Sequence, residues 1–137
     1  MATFVLYDAY VKVATVDLSD HVRSVTIDAG QNMVDDTAMG DTFVSNSAGL
    51  ATWSVNIEFL QDYAASKVDA TLQPLLGIGN TAALEIRPTS GTVGTANPKY
   101  TGTAILESYN PIGGSVGDQA MATATFQSAS ALARATS

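Results

Sequence analysis

One stretch constrains this chain more than any other. Between Ala51 and Phe59, Trp53, Val55, Ile57 and Phe59 take every second position, with Thr52, Ser54, Asn56 and Glu58 between them. Successive side chains on a strand point to opposite faces, so a period of two predicts a half-buried strand with four large apolar groups on one side. The same period recurs in Ala120 to Gln127, where Ala122, Ala124 and Phe126 alternate with Met121, Thr123 and Thr125. Tyr100 to Tyr109 alternates more loosely but is rich in Thr, Ile and Tyr. Val22 to Ile27, Ala82 to Arg87, and an opening pair, Phe4 to Tyr7 and Tyr10 to Val16 around Asp8-Ala9, bring the expected strands to about seven.

After Ser66 the spacing changes. Val68, Leu72, Leu75 and Leu76 stand at i, i+4, i+7 and i+8, which predicts one short amphipathic helix over residues 66–77. Asp69 sits near its positive end and Gly77 where a left-handed cap belongs. Pro74 cannot donate an i to i−4 bond, so the helix is kinked there or tightens into an irregular last turn. Val68, Leu72 and Leu75 are expected to pack on Trp53, Val55, Ile57 and Phe59, with Phe126 in the same core. The fold class is mainly β, in a single domain spanning residues 1–137.

Charge is unevenly placed. The chain carries 13 acidic and 6 basic residues. From Ser24 to Ser66 there is no Lys or Arg, while Asp28, Asp35, Asp36, Asp41, Glu58 and Asp62 give −6. The rest, seven acids against six bases, carries −1. Such a balance argues against affinity for nucleic acid or anionic membranes, because holding phosphates requires Lys and Arg to displace counterions. No apolar run approaches ~20 residues, and the opening Met1 to Asp8 lacks the basic start of a signal peptide, which predicts a soluble protein made in the cytoplasm. Within the acidic window, Asp28 to Gly49 shows little periodicity and few bulky apolar residues, and predicts a long structureless loop. Loops of that length in a small domain usually serve a function. Asp35, Asp36 and Asp41 have oxygens for calcium, but the spacing lacks the alternation and closing bidentate Glu of an EF-hand; a solvated acidic loop is the plainer reading. Ser128 to Ser137, rich in Ala and Ser with Leu132 as its one large apolar residue, is expected to be exposed or mobile.

Catalytic chemistry has little to work with. No cysteine is present and His21 is the sole histidine, which removes thiol chemistry and leaves no set of imidazoles for a zinc site or a relay beyond one residue. His21 follows Asp20 in a turn, where an imidazole commonly bonds its own backbone. Asp62 begins the connection to the helix, under which Tyr63 is expected to pack. Gly113 to Asp118 lacks the Lys-Ser/Thr that completes a phosphate loop and suits a hairpin tip. Trp53 and the five tyrosines could form a saccharide platform, although a lone Trp on an apolar strand face is usually core. Glu58, Glu85 and Glu107 alternate outward, where a solvated face explains them better than paired catalytic acids. The expectation is a structural or interaction protein without enzyme activity, metal or cofactor.

Taken together, several blocks in order carry a resemblance. They are Thr3-Phe4-Val5-Leu6 with Asp8-Ala9, Val16-Asp17-Leu18-Ser19-Asp20-His21-Val22 with Val25-Thr26-Ile27, and Val34-Asp35-Asp36-Thr37-Ala38-Met39-Gly40. Further along stand Trp53-Ser54-Val55, Phe59-Leu60-Gln61-Asp62-Tyr63-Ala64-Ala65, Val68-Asp69-Ala70-Thr71-Leu72-Gln73-Pro74-Leu75, Glu85-Ile86-Arg87-Pro88 and Tyr109-Asn110-Pro111-Ile112-Gly113-Gly114-Ser115-Val116-Gly117-Asp118. From about residue 3 to residue 127 the chain resembles the major tail tube proteins of long non-contractile-tailed bacteriophages, especially those of actinobacterial hosts.

The resemblance implies a β-sandwich or small barrel with one helix and a long extended arm. It implies six-fold rings stacked into a tube in the virion tail, assembled in the host cytoplasm, through which DNA passes transiently. Self-association and contacts with tail-tip, tape-measure and tail-terminator proteins follow, with no catalytic residues and no membrane partner. It also makes Asp28 to Gly49, with Asp28, Asn32, Asp35, Asp36, Asp41 and Phe43, an arm to a neighbouring ring. Glu58, Glu85, Glu107 and Thr123 become candidates for the bore, where carboxylates would repel a polyanion mildly. A monomeric or dimeric β-sandwich binding module, for saccharides for example, is the alternative; a ring from a contractile injection or secretion system is a third.

Overall fold

The period-two stretch becomes the second half of a long strand. In the computed structural model, which describes residues 3–137, the elements are β1 (Tyr10–Val13), β2 (Val16–Asp17), a 3-10 turn (Ser19–His21), β3 (Val22–Asp35), β4 (Asn46–Leu60), α1 (Val68–Leu72) running into a 3-10 turn (Gln73–Leu75), β5 (Ala82–Arg87), β6 (Lys99–Asn110), β7 (Met121–Ser128) and β8 (Ala133–Ala135). Met1 and Ala2, the start of the segment examined for a signal peptide, lie outside the described residues. The strands pair antiparallel in the order β2-β1-β5-β6-β7-β4-β3, with β8 also beside β6.

β6 belongs to both halves of this sheet. Its first half pairs with β5, from Tyr100↔Ile86 to Ala104↔Ala82, and its second half with β7, from Ala104↔Ser128 to Asn110↔Thr123. The sheet curls about this strand. Val11, Val13, Leu84 and Ile86 from one half and Val55, Ile57, Phe59, Ala122, Ala124 and Phe126 from the other bury in one core. Val68 and Leu72 of α1 are fully buried there and Leu75 packs against them. Each such burial contributes roughly 1.5–3 kcal/mol. Pro74 falls in the 3-10 turn, so the helix tightens rather than kinks. That turn ends on extended Leu76; Gly77, at φ 155°, is not a left-handed cap.

Trp53 is 5% exposed and its indole Nε1 donates to the Ser130 carbonyl at 2.7 Å. Gly102 on β6 makes room for the ring. A Cβ there would lie 2.5 Å from Trp53 Cζ2, so the residue must be glycine for the two strands to approach this closely.

Three expectations need correction. The opening pair is not Phe4–Tyr7 with Tyr10–Val16: residues 4–7 lie in no strand, and the hairpin is β1 with β2, joined by Ala14 and Thr15 at φ 50° and 76°. Positive φ at both positions is what a type I′ hairpin loop requires, and Ala-Thr carries none of the Asn-Gly signal that marks it. The segment Asp28 to Gly49 is not structureless. It continues β3 and begins β4, paired from Asp28↔Ser54 to Asp35↔Asn46, leaving only residues 36–45 as loop. Both faces of this hairpin are exposed, so a backbone ladder forms it without leaving any apolar alternation to read. Finally, residues 128–137 are mostly exposed, as expected, but are not loosely structured: β8 lies on Lys99–Thr101 of β6 and the Ser130 carbonyl accepts the Trp53 indole.

Gly102→Ala is expected to destabilise the fold by about 1–3 kcal/mol through overpacking against the indole. Urea unfolding followed by Trp fluorescence checks it, and an unchanged midpoint would show that Trp53 moves aside freely.

Candidate assembly surface

The side of the sheet opposite the core is polar. Register places Ser24, Glu58, Thr123 and Asn110 in one row across β3, β4, β7 and β6, and Thr26, Asn56, Thr125 and Ser108 in the next. Thr125 Oγ1 donates to Asn56 Oδ1 at 2.9 Å, and Gln127 Nε2 donates to Glu107 at 3.3 Å across a bulge in β6. None of the residues paired in these rows is basic; Arg23, the extra residue of the bulge between Val22 and Ser24, stands beside them on β3 as Glu107 does at the bulge between Leu106 and Ser108. Glu58, Glu107 and Thr123 therefore share one base-poor surface.

Glu85 does not belong with them. It sits on β5, opposite Lys12 and Thr101, and its carboxylate accepts from Arg87 Nη2 at 2.6 Å and Nε at 2.8 Å. The Arg87 guanidinium also lies 4.2 Å over the Tyr10 ring. Glu85, its side chain 21% exposed, is thus a neutralised carboxylate in the other half of the sheet rather than part of a solvated face.

The arm residues fall along the β3–β4 hairpin. Asp28 stands at its base opposite Ser54, and Asn32 at a bulge between Gln31 and Met33. Asp35 accepts from the Thr37 amide at 2.9 Å, Asp41 from the Ala38 amide at 2.8 Å, and Asp36 from the Ser47 hydroxyl. The Ser45 amide donates to Thr37 Oγ1 at 2.7 Å. These carboxylates are spent on the loop's own donors, which fix a tip that would otherwise be costly to order. Hydrogen bonds from Thr37 hold Asp35, and from Ser47 and Ser45 hold Asp36, below the ordinary carboxyl value of 3.8. Phe43 is 86% exposed at the tip, with Met39 and Val44 exposed beside it. Among the described residues no group of three or more His, Asp or Glu is placed to hold a metal ion.

His21 does something that its sequence neighbours did not indicate. Its ring bonds carboxylates rather than its own backbone, with Nδ1 2.7 Å from Asp20 and Nε2 2.9 Å from Asp62, 41 residues away. The His21 bond draws Asp20 below its ordinary value; for Asp62 the Ala64 amide is the larger cause and His21 the second. Tyr63 is exposed and donates to the Pro111 carbonyl instead of packing beneath the helix. That inner position belongs to Tyr109, whose hydroxyl donates to Asp69 at 2.9 Å and whose burial pushes its pKa up to about 12. Neither contact has a sequence signal, since both join residues about 40 positions apart. With Trp53 in the core, the saccharide platform loses its principal aromatic.

No family model and no curated protein matches this chain. Solved structures do match it. A chain in the tail of an empty GTA particle, refined with C6 symmetry, aligns at 18% identity and TM-score 0.65 over 82% of this chain and 81% of that one. One in the virion of a native gene transfer agent particle aligns at 17% and 0.72 over 93% and 95%. The SPP1 tail tube aligns at 10% and 0.72 over 95% and 76%. The chain has the fold of these tail proteins.

The lowered values of Asp35 and Asp36 fix a sign. Their folded pKa lies below the unfolded 3.8, so their contribution is fully present above that value and is lost as pH falls through the folded one. Amide NMR is expected to show Thr37 unchanged from pH 7 to about pH 4 and shifted or exchange-broadened below the carboxylate range. A transition between pH 5 and 7 would contradict this.

Proposed function

We propose that this chain is the subunit of a phage-type tail tube, in which six copies close into a ring and rings stack around a channel for DNA. The observation that carries the reading is a polar, base-poor sheet face bounded by two open edges, in a fold shared with assembled tail proteins. One edge is the side of β3 away from β4; the other is the side of β6 beyond Ala104, where β5 no longer pairs. Open edges invite pairing with another chain, and closing them around a ring removes that liability. β3, β4, β7 and the end of β6 from each copy would then form a continuous barrel with Glu58, Glu107 and Thr123 inside.

Carboxylates without cations suit such a bore. Lys or Arg there would bind phosphates by counterion release and stall the polyanion. The role is structural rather than catalytic, in the virion tail, with assembly in the host cytoplasm and with tail-tip, tape-measure and terminator proteins as further partners. Electron microscopy of concentrated protein, alone and with a tail-tip complex as nucleus, tests it: hollow tubes are expected, and globular particles under all conditions would overturn it.

Replacing Glu58, Glu107 and Thr123 together by Lys is expected to leave tubes intact and to slow genome ejection at low salt, with recovery at high salt as phosphate contacts are screened. Normal ejection at low salt through assembled triple-variant tubes would place this face away from the bore.

A further inference from the structure

Thr3-Phe4-Val5-Leu6-Tyr7 is rich in strand formers, yet residues 3–9 join no ladder, and Phe4, Val5, Leu6 and Tyr7 are all more than half exposed. The segment lies beside a strand edge all the same. Leu6 to Ala9 form one wall of a groove of about 120 Å³ whose other wall is Val22 to Val25. Successive side chains of a strand point to opposite faces, so a groove lined by four consecutive residues runs along an edge, and β4 occupies the other edge of β3. Among the described residues no backbone hydrogen bond crosses this groove. We infer that residues 3–9 are a strap that covers the outward edge of β3 in the free subunit and must swing away before a second copy can pair there; the inference rests on the tube reading and adds a control on its assembly.

Three observations support a strap. It stands where a ring partner would: paired strands lie about 4.8 Å apart, so a segment walling the groove along Val22 to Val25 blocks the approach of another edge. It is tethered to a fixed point. The Ser90 hydroxyl donates to Asp8 Oδ2 at 2.5 Å. The loop around Ser90 is organised by buried Asn97, whose Oδ1 accepts from the Thr89 amide at 3.1 Å and whose Nδ2 donates to the Gly91 carbonyl at 3.0 Å. Arg87 Nη1 donates to the same carbonyl at 3.1 Å. Third, the hold is light. Leu6 and Ala9 line an apolar mouth of about 210 Å³ with Val25, Ile27 and Ile86, and among the described residues the Ser90–Asp8 bond is the one hydrogen bond between residues 3–9 and the rest of the chain. A cover held this way opens easily. As part of the same chain it still competes with a second copy at an effective concentration on the order of mM, so free subunits stay apart until a ring supplies more contacts than the strap.

The chain has no cysteine, so one can be placed on each wall of the groove. Leu6→Cys with Ser24→Cys, oxidised by glutathione disulfide in dilute protein, is expected to close an intramolecular disulfide several-fold faster than Leu6→Cys with Asn110→Cys, at the far end of the row that begins at Ser24. The locked subunit should remain unassembled at concentrations where its reduced form, with a tail-tip complex as nucleus, builds tubes, and dithiothreitol should restore assembly. Asp8→Ala and Ser90→Ala, which remove the tether, should each lower the concentration needed for assembly several-fold; an unchanged concentration in both overturns the tether. Closure no faster than in the control pair overturns the strap, and so does a locked subunit that assembles like the reduced one; both results leave the tube reading standing. If neither the reduced protein nor the tether variants assemble, the tube reading falls and the strap's role falls with it.

Discussion

A sheet with one apolar face and a five-residue helix to cover it must cover most of that face with itself. That constraint shapes this molecule. β6 pairs with β5 along its first half and with β7 along its second, and Gly102 lets its backbone approach the Trp53 ring as the sheet turns over. The result is a core built from both halves of one continuous ladder, in which Trp53, Phe59 and Phe126 meet Val11 and Leu84. Polar residues are then pushed outward, and because no Lys or Arg falls between Ser24 and Ser66, the outer surfaces of the two halves acquire different characters.

This separation of charge is legible in the sequence as a 43-residue window without Lys or Arg, but its meaning is spatial. Glu58 and Glu107 stand on the other half of the sheet, where neither is in an ion pair among the described residues. Glu85, identical to them in alternation, lies in the half that holds Lys12 and Arg87 and is neutralised there. Alternation identifies the face of a strand; which neighbours that face receives depends on strand order, and strand order is set by pairing that no local pattern encodes.

The same distinction explains what else could be read. Trp53, Val55, Ile57, Phe59, Val68, Leu72 and Phe126 are recognisable because burial imposes period on sequence, and all seven are buried. The β3–β4 extension is not recognisable because nothing is buried along it; its strands are held by backbone bonds that any residues could supply. The Ala14-Thr15 turn and the bond between His21 and Asp62 fail for related reasons, the first because its residues are atypical for the geometry, the second because its partners are remote.

A ladder exposed on both faces has a further property. Since side chains alternate direction at every residue, lengthening each strand of the hairpin by one residue would advance the tip by about 3.3 Å and turn Phe43 and its neighbours to the opposite side, whereas two residues per strand would advance it by about 7 Å and preserve its facing. The hairpin is in effect a graduated spacer, and its useful lengths come in steps of two. Relatives that differ in arm length should therefore differ by even increments per strand, with β-bulges such as that between Gln31 and Met33 as the place where an odd residue can be absorbed.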